Sequence, residues 1–330
     1  MPANAVFVTG GTGLLGSNLA RRLVERGHRV RLLVRERRHP MLEQLPIEWI
    51  PGDLADVPAL IAGMQGCQSV YHVAGAVSYR PADAARLHET NVLGTRNVLA
   101  AAARAGVARV VHTSSTAAVG MSLRPDHILD ETAPFDRRLD GDPYMRTKHL
   151  AELEVERAVA TGLDAVMVNP STIFGAGDVY RHTSATLPKL HRGKMFAAPP
   201  GGTAVVSVDD VVDGHLLAME RGQKGRRYIL SSENVAYFDL LNRIARVVEG
   251  PPIRRMLPAV LEGPLTAIAA LASAIVPGLP LTRHVIRFSF RYRYFSAARA
   301  RAELGWAPRV PIEDAVRAAW RFYVDSGGAP

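Results

Sequence analysis

The chain has 330 residues, 48% of them hydrophobic, and a mean hydropathy of +0.03, values ordinary for a globular protein with a large core. Its single cysteine, Cys67, excludes an internal disulfide and a cysteine-rich metal site. The formal net charge of +9 comes from basic residues scattered along the chain, so no nucleic-acid partner is expected. The first residues lack the pattern of a signal peptide, and we expect a cytoplasmic protein.

Short apolar runs and helical patterns alternate over the first 170 residues. The predicted strands are Ala5–Thr9, Val30–Val34, Glu48–Ile50, Ser69–Val73, Val110–Thr113 and Ala165–Asn169, and the predicted helices are Gly16–Arg26, Val57–Met64, His88–Ala105 and Tyr144–Thr161. Such alternation is typical of a parallel sheet with helices on both faces. The pattern therefore predicts an α/β fold with a doubly wound parallel sheet of the Rossmann type.

This regularity ends after Pro170. Residues 171–202 are rich in Gly, Pro and basic residues, a strand and a helix follow within residues 203–230, and short helices occupy residues 231–330. We predict a dinucleotide-binding domain over residues 1–170, to which residues 203–230 return. The remaining segments, 171–202 and 231–330, would form a smaller C-terminal substrate lobe.

An apolar stretch covers residues 256–281 and is interrupted by Glu262 and by several Pro and Gly residues. Its longest uninterrupted run is about 12 residues, whereas a helix that spans a bilayer needs about 20. We interpret the stretch as a buried helix or as the wall of an apolar pocket. Peripheral contact with a membrane is the alternative.

Four glycines lie within FVTGGTGLLGSNLA, residues 7–20, where the first strand meets the first helix. A glycine-rich turn lets the backbone approach a pyrophosphate, and the next helix directs its free N–H groups and its positive dipole end at the phosphates. Gly10, Gly13 and Gly16 fit this arrangement. Gly11, Gly13 and Gly16 fit the G-x-G-x-x-G spacing as well. The loop predicts a dinucleotide cofactor.

The end of the second strand distinguishes NAD from NADP. An acidic residue there would hold the ribose 2′-hydroxyl of NAD, whereas an arginine accommodates the 2′-phosphate of NADP. Arg35 lies nearest to the expected position, Arg37 and Arg38 follow it, and Glu36 is the competing residue. We therefore expect NADP as the cofactor, with NAD as the alternative.

A possible catalytic set lies farther along the chain. Tyr144 and Lys148 are four residues apart at the start of a predicted helix, so their side chains share one helical face. A nearby ammonium stabilises the phenolate and lowers the pKa of the phenol, which can then exchange a proton with a hydroxyl or a carbonyl. A serine of TSSTAAVG, residues 113–120, could hydrogen-bond the same oxygen. Together with the loop, this set predicts interconversion of a ketone and a secondary alcohol.

These segments resemble a known family in their order and spacing. The matching motifs are TGGTGLLG (9–16), GDL (52–54), HVAG (72–75), HTSS (112–115), YMRTK (144–148) and NPSTIFGAGD (169–178). They resemble the extended branch of the short-chain dehydrogenase/reductase superfamily, the NAD-dependent epimerase/dehydratase family. NVLGTRNVL (91–99) and SVDDVVDGHLLAMERG (207–222) resemble its dihydroflavonol-reductase-like group, which includes hopanoid-associated sugar epimerases and is similar to the hydroxysteroid dehydrogenases.

The resemblance implies a role for each matching residue. Ser115 would be the catalytic serine, with Ser114 as the alternative; Tyr144 would be the general acid/base and Lys148 would bind the nicotinamide ribose. The implied cofactor-binding residues are Gly10, Gly13 and Gly16 at the pyrophosphate, Arg35 at the adenosine ribose, Asp53 and Leu54 at the adenine, Val73, Ala74 and Gly75 under the middle of the cofactor, Pro170, Thr172 and Ile173 by the carboxamide, and also Thr9, Thr12, Leu14, Leu15 and Thr113. A homodimer through the helices near 88–105 and 144–161 is implied as well. No metal site is expected, because the histidines are dispersed.

The substrate is predicted from weaker signals. Gly75 stands where the family usually has Ala, and Val119 stands where sugar-modifying relatives often have Tyr. Residues 257–281 could form a wall for a hydrophobic ligand. The cations that could hold the diphosphate of a nucleotide sugar are Arg181, Lys189, Arg192 and Lys194. We expect a hydrophobic or cyclic substrate of dihydroflavonol, sterol or terpenoid type. A nucleotide-sugar epimerase or 4-reductase, and a non-catalytic regulator that senses NADP, are the alternatives.

Overall fold

A computed structural model describes residues 5–35, 39–136, 139, 141–181, 183–275 and 282–329. The strands in chain order are β1 (Ala5–Thr9), β2 (Arg29–Val34), β3 (Ile47–Pro51), β4 (Ser69–His72), β5 (Arg109–Thr113), β6 (Ala165–Pro170), β7 (Thr172–Phe174), β8 (Gly202–Ser207), β9 (Arg227–Leu230), β10 (Glu233–Ala236) and β11 (Tyr292–Arg293). The α-helices are α1 (Leu14–Glu25), α2 (Val57–Met64), α3 (Ala84–Leu87), α4 (Gly94–Arg104), α5 (Pro143–Ala160), α6 (Leu187–His191), α7 (Val208–Arg221), α8 (Tyr237–Val247), α9 (Glu262–Ile275), α10 (Arg283–Ser289) and α11 (Ile312–Asp325).

The larger sheet is parallel and follows the order β3-β2-β1-β4-β5-β6-β9. Every residue of β1 and of β6 is buried, because helices cover both faces of the sheet. α1 and α7 contribute to the core on one face, and α2, α4 and α5 contribute to the core on the other. The predicted doubly wound Rossmann sheet is confirmed. Strand order reverses between β1 and β4, and ligands bind beside the carboxyl ends of strands at such a point.

Element limits differ from the predicted ones by a few residues. α2 has the predicted limits Val57–Met64. α1 begins at Leu14, two residues before the prediction, because the extended backbone of Gly13 forms its N-cap. The helix predicted from His88 begins at Ala84 instead, and a π-helical turn over His88–Leu93 joins α3 to α4.

A smaller sheet lies beyond the end of β6. β8 forms its centre and pairs with β7, β10 and β11. Residues 203–230, predicted to return to the larger unit, are therefore divided between the two sheets. β8 belongs to the smaller sheet, whereas α7 packs on the larger sheet and β9 extends it. A separate apolar core joins α6, α8 and α11 to the smaller sheet. The chain leaves the larger sheet after β6 and re-enters it with β9.

Two acidic residues, Asp209 and Asp210, lie in the first turn of α7. Ser207 caps α7 by accepting a hydrogen bond from the backbone N–H of Asp210 (3.0 Å). The Asp210 carboxylate in turn accepts hydrogen bonds from two backbone N–H groups before α11, those of Arg309 (2.8 Å) and Val310 (3.2 Å). The carboxylate therefore connects the C-terminal segment to α7.

The apolar stretch near residue 260 forms α9 on the outside of the smaller lobe. One face of α9 packs on α10 through a small apolar cluster. The side chains of the opposite face are 61%, 65% and 69% exposed at Ile268, Leu271 and Ile275. The interpretation of this stretch as a buried helix is therefore wrong for its outer face, since α9 packs along one side; residues 276–281 lie outside the described part. Within the described ranges, no helix is long and apolar enough to cross a bilayer.

Candidate active site

The glycine-rich loop lies between β1 and α1, at the carboxyl edge of the larger sheet. Gly10 has a φ of +73°, and an added Cβ there would lie 2.5 Å from the backbone nitrogen of Ala74. A Cβ at Gly16 would lie 2.2 Å from the carbonyl oxygen of Gly10, so α1 packs directly against the loop. At Gly13 an added Cβ would meet only the Gly10 oxygen, at 3.6 Å, and no side chain caps the first N–H groups of α1. The free donors and the open space beside Gly13 fit a pyrophosphate.

Side chains around the loop hold its shape. Thr9 Oγ1 lies 2.7 Å from His72 Nδ1 and accepts a hydrogen bond from the backbone N–H of Ala74 (3.3 Å). The side chain of Thr9 therefore connects β1 to β4, and only its backbone faces the loop. Thr12 Oγ1 lies 3.3 Å from the hydroxyl of Tyr180. The other two residues predicted here begin α1: Leu14 and Leu15.

The residues predicted at the adenosine end follow β2 and β3. Arg35 comes directly after β2 and is exposed. The three residues after it, Glu36, Arg37 and Arg38, lie outside the described part of the chain. Asp53 Oδ1 accepts hydrogen bonds from two backbone N–H groups (2.7 and 3.1 Å), which fixes the turn after β3. Leu54 packs on Gly94, where an added Cβ would lie 2.7 Å from Leu54 Cδ1.

The segment after β4 passes close to Lys148. Val73 and Ala74 are half-buried, and Gly75 is exposed. A Cβ at Gly75 would lie 3.2 Å from Lys148 Nζ, so the missing side chain leaves room around the ammonium.

The three predicted residues near the nicotinamide end lie after the neighbouring strand. Pro170 is the last residue of β6 and is buried. Thr172 and Ile173 open β7, and Thr172 Oγ1 lies 3.1 Å from Thr203 Oγ1 of β8. This stretch therefore joins the larger sheet to the smaller one.

The predicted catalytic residues meet where β5 ends and α5 begins. Asp142 caps α5 by accepting a hydrogen bond from the backbone N–H of Met145 (2.7 Å), and this places Tyr144 in the first turn. Ser115 lies close to the phenol of Tyr144 and favours its ionised form. One turn later, Lys148 Nζ donates to the backbone carbonyl of Thr113 (2.9 Å), while Thr113 Oγ1 lies 2.9 Å from His215 Nε2.

The alternative serine is engaged elsewhere. Ser114 Oγ donates to the buried carboxylate of Glu152 (2.5 Å). Glu152 also accepts hydrogen bonds from Asn169 Nδ2 (2.5 Å) and from Arg227 Nη1 (3.0 Å). The geometry therefore favours Ser115 over Ser114. Glu152 is not among the predicted site residues, although its position four residues after Lys148 on the same helix could have identified it.

A second missed residue supports the same region. Asn91 lies in the π-helical turn, and its side chain accepts from the backbone N–H of Ala76 (2.7 Å) and donates to the carbonyl of Ala76 (3.0 Å). It also donates to Thr147 Oγ1 (3.1 Å) on α5. π-helical turns are frequent at functional sites. Asn91 holds the segment after Gly75 against the helix that carries Tyr144.

The charges of the site are set mainly by burial. Burial lowers the pKa of Lys148 to about 8, and the carboxylate of Glu152 opposes this shift. Burial raises the pKa of Tyr144 above its usual value, and the nearby Ser115 and the charge of Arg293 oppose that shift. The sequence predicts that Lys148 lowers the pKa of Tyr144. In the structure Lys148 Nζ is directed to a backbone carbonyl, and the charge of Arg293 makes a small contribution that favours the phenolate.

Arg293 reaches the site from β11 of the smaller sheet. Its Nη2 donates to the hydroxyl of Tyr237 (2.7 Å), and it also interacts with the hydroxyl of Tyr79. The ring of Tyr79 meets the ring of Tyr144 edge-on, with 5.7 Å between centroids. Arg227, another half-buried arginine, pairs with a carboxylate, but Arg293 has none within 4.0 Å among the described residues. Its Nε is buried and has no hydrogen-bond partner there.

Apolar and aromatic side chains pack together beside Tyr144. They form one cluster of Tyr79, Ala117, Met121, Phe135, Leu139, Met145 and Phe288. Val119, compared above with a Tyr of sugar-modifying relatives, is fully buried in a different cluster. The cations proposed for a diphosphate do not converge here. Arg181 stacks on Tyr323 (4.8 Å to the ring centre), and Arg192 Nη2 donates to the carbonyl of Ala329 (2.6 Å).

Comparison with known proteins agrees with this description. Residues 6–231 match the NAD dependent epimerase/dehydratase family. A protein of Synechocystis sp. that bears the name dihydroflavonol 4-reductase is 37% identical over 98% of this chain and 96% of its own length. A Stigmatella aurantiaca protein named 4-hydroxy-2-methyl-3-oxo-4-farnesyl-3,4-dihydroquinoline-1-oxide ketoreductase is 37% identical over 95% of this chain and 96% of its own.

Similarity extends to a solved structure. The crystal structure of gox2253 superposes with a TM-score of 0.88 at 35% identity and covers 99% of this chain and 100% of that chain. The match thus includes both sheets and the lobe beyond β6. Since the family match, the relatives and the fold agree with the motifs, the chain belongs to the NAD-dependent epimerase/dehydratase family and is an oxidoreductase of the extended short-chain dehydrogenase/reductase type.

Proposed function

We propose that the protein is an NADP(H)-dependent reductase, equally a dehydrogenase in the reverse direction, that interconverts a ketone and a secondary alcohol on a hydrophobic or cyclic substrate. The observation that carries the proposal is the position of Ser115 close to Tyr144, one helical turn before Lys148, which lies beside the segment that packs on the glycine-rich loop. The bound nicotinamide would supply or accept the hydride. As the family resemblance implies, Lys148 would bind the nicotinamide ribose. Two chains would associate through α4 and α5.

In this proposal Tyr144 holds the transferable proton on its phenolic oxygen. The raised pKa keeps the phenol protonated near neutral pH, which suits a general acid in ketone reduction. Ser115 would donate to the same substrate oxygen and stabilise the negative charge that develops there. The charge of Arg293 lowers the pKa of Tyr144 and so favours the phenolate that remains after proton transfer.

Replacement of Tyr144 by Phe tests the assignment of the acid. We expect a loss of about 10²- to 10⁴-fold in turnover on a confirmed ketone, with NADPH binding retained, because only the transferable proton is removed. Tyr71→Phe is the matched control, since Tyr71 is buried in the core cluster that contains α1 and α7. Full turnover in Tyr144→Phe would refute the role of Tyr144. NADPH binding by the wild-type protein without turnover on a broad panel of ketones would favour the regulator.

The apolar cluster beside Tyr144 supports a hydrophobic substrate. Burial of apolar ligand surface contributes about 25 cal/mol per Å², and a ligand that reached Tyr144 would lie beside Tyr79 and Phe288. The names of the two relatives refer to a dihydroflavonol and to a farnesylated 3-oxo compound. A thermal-shift panel of sterol-like ketones, dihydroflavonols and UDP-sugars tests the substrate class. Stabilisation by UDP-sugars alone would contradict a hydrophobic substrate.

The preference for NADP rests on Arg35. An exposed guanidinium at the end of β2 can pair with a 2′-phosphate, and hydrogen bonds to charged groups contribute about 1.5–3 kcal/mol. We expect Arg35→Ser to weaken NADPH binding by about 10- to 100-fold in isothermal titration and to leave NADH binding nearly unchanged. Arg29→Ser, at the opposite end of the same strand, is the control. Tighter binding of NADH than of NADPH by the wild-type protein would overturn the preference and implicate Glu36.

A further inference from the structure

We propose that the outer face of α9, with two adjoining segments, docks the protein on the surface of an anionic lipid bilayer. The proposed docking surface consists of Phe196, Met256, Val260, Ile268, Leu271 and Ile275. The inference rests on the proposed function in one respect, because a bilayer is the natural source of a hydrophobic substrate. The evidence for the surface itself is independent of the reaction.

The outer face of α9 is apolar and unpartnered. Ile268, Leu271 and Ile275 follow one another at intervals of three and four residues, so they lie on one face of the helix. They are 61%, 65% and 69% exposed, and the helix carries no charged residue after Glu262. A surface helix usually turns its apolar stripe to the core, but the core side of α9 already packs through Leu265 and Ala269. The helix is therefore apolar on both sides, which suits contact with an apolar phase.

Two segments beside α9 extend this surface. Val260 is 81% exposed in the turn that precedes the helix. Met256 is 57% exposed, and its backbone pairs with Ala198 in a β-bridge two residues from Phe196, which is 85% exposed. Large apolar side chains that are exposed together mark an interaction surface.

The charged residues around the docking surface indicate which partner it binds. Residues 253–293 contain six arginines and a single acidic residue, Glu262. Glu262 is neutralised by Arg291, with 2.6 Å between Oε1 and Nη2. The exposed arginines are Arg254 and Arg255 beside Met256, and Arg283 and Arg287 on α10. Basic residues around an exposed apolar face match anionic headgroups above acyl chains. A second copy in a symmetric contact would bring the same cations together, which disfavours a dimer through this face.

The position of α10 connects the docking surface to the candidate active site. Ile286 of α10 and Phe290, which caps the end of α10, pack on the inner face of α9. Phe288, from the same helix, contacts Tyr79 with 5.2 Å between ring centroids, and Tyr79 contacts Tyr144. A single short helix therefore separates the docking surface from the apolar cluster beside Tyr144. Docking would bring this cluster close to the acyl chains, where a hydrophobic substrate is concentrated.

Flotation with lipid vesicles tests the proposal, using the full-length protein without substrate. We expect binding to vesicles that contain phosphatidylglycerol, weaker binding to pure phosphatidylcholine, and release at high salt. The double variant Ile268→Ser/Leu271→Ser should bind phosphatidylglycerol vesicles at least about tenfold more weakly, because it removes two apolar contacts. Its melting temperature and its stabilisation by NADPH should match the wild-type values, since both side chains are exposed.

Val324→Ser is the matched control, because Val324 is an exposed apolar residue of α11, which packs on α8 rather than on α9. Wild-type protein that binds neither vesicle composition would overturn the proposal, as would a double variant that binds as tightly as the control. A change from dimer to monomer in the double variant, measured without vesicles, would instead show an interface between copies. Vesicle binding by a protein that reduces no ketone would leave this proposal standing and refute the proposed function.

Discussion

At the scale of single residues, Arg293 is the least expected member of the site. Its guanidinium lies among tyrosine hydroxyls rather than beside a carboxylate, and its Nε is buried without a partner among the described residues. Burial of a cation away from any carboxylate lowers the stability of the fold. A buried arginine without such a partner therefore points to a function for its charge. Stabilisation of the negative charge that develops on a substrate oxygen beside Tyr144 would be that function.

Arg293→Met should therefore impair catalysis more than cofactor binding. We expect kcat/KM for a confirmed ketone to fall by about 10- to 100-fold, which corresponds to the loss of one charge interaction in a buried site. NADPH affinity in isothermal titration should stay unchanged, and Arg293→Lys should restore part of the loss. Arg301→Met removes an exposed arginine from a nearby turn and serves as the control. Wild-type kcat/KM in Arg293→Met would contradict a role for this charge.

The sequence predicts only those site residues whose partners are close along the chain. Tyr144 and Lys148 share a face of one helix, so their spacing was enough to pair them. Arg293 and Tyr79 reach Tyr144 from a different sheet and from the segment after β4, and no local period connects them. Their contribution depends on how the smaller lobe packs on the larger sheet.

At the scale of elements, α5 carries three functional groups on one face. Tyr144, Lys148 and Glu152 recur every four residues, and the last two interact through their charges. Burial lowers the pKa of Lys148 to about 8, so activity that needs its ammonium should decline above that pH. Loss of the Glu152 charge would lower this pKa further, because the carboxylate favours the protonated amine.

Glu152→Gln should thus move the alkaline limb of the pH profile of kcat/KM toward lower pH, by about one unit. Glu156→Gln, an exposed position one turn later on α5, should leave the limb in place. Urea unfolding at neutral pH will report the separate cost of leaving Arg227 without its partner. Since lower stability alone does not move a pH limb, an unshifted limb in Glu152→Gln would argue against coupling to Lys148.

The elements that the sequence failed to predict are short or lie at a surface. β7 and β11 have three and two residues. β7 pairs with β8, and β11 pairs with β8 and forms a bridge with Ser122. Neither strand is long enough to show the alternation of apolar and polar residues that identifies a strand in a sequence. The composition predicts an apolar run of helical length at α9, but it does not indicate whether protein, water or lipid contacts the outer face of the helix.

At the scale of the whole molecule, buried neutral histidines couple stability to pH. Burial lowers the pKa of His72 to about 3, that of His215 to about 4, and that of His112 well below its usual value. The unfolded chain binds protons at these residues near pH 6.5 and the folded chain does not, so the free energy of unfolding should fall as the pH drops below about 6.5. Burial raises the pKa of Asp142 to about 6, so as the pH falls this carboxylate is protonated in the folded chain before it is protonated in the unfolded chain. This proton offsets the contribution of one of the three histidines.

His112→Leu isolates one of these contributions. Both ring nitrogens of His112 are buried without a hydrogen-bond partner among the described residues. An apolar side chain of similar size should therefore leave the free energy of unfolding at pH 7.5 unchanged or raise it. Urea titrations between pH 6 and 4.5 should show a slope that is smaller by about 1.4 kcal/mol per pH unit. His88→Gln, an exposed histidine, is the control. An unchanged slope in His112→Leu would mean that this ring is already protonated in the folded protein.

The return of the chain to the larger sheet has a consequence for expression of the nucleotide-binding unit. β9 pairs with β6 along four residues, Met167 to Pro170, and every residue of β6 is buried. A fragment that stopped at Pro170 would present β6 as a bare, apolar edge strand, ready to accept a strand from another molecule. The first 170 residues are therefore not a portable module. A truncation designed at that apparent boundary, or a protease cut followed by loss of the C-terminal part, should yield aggregates rather than a free cofactor-binding domain.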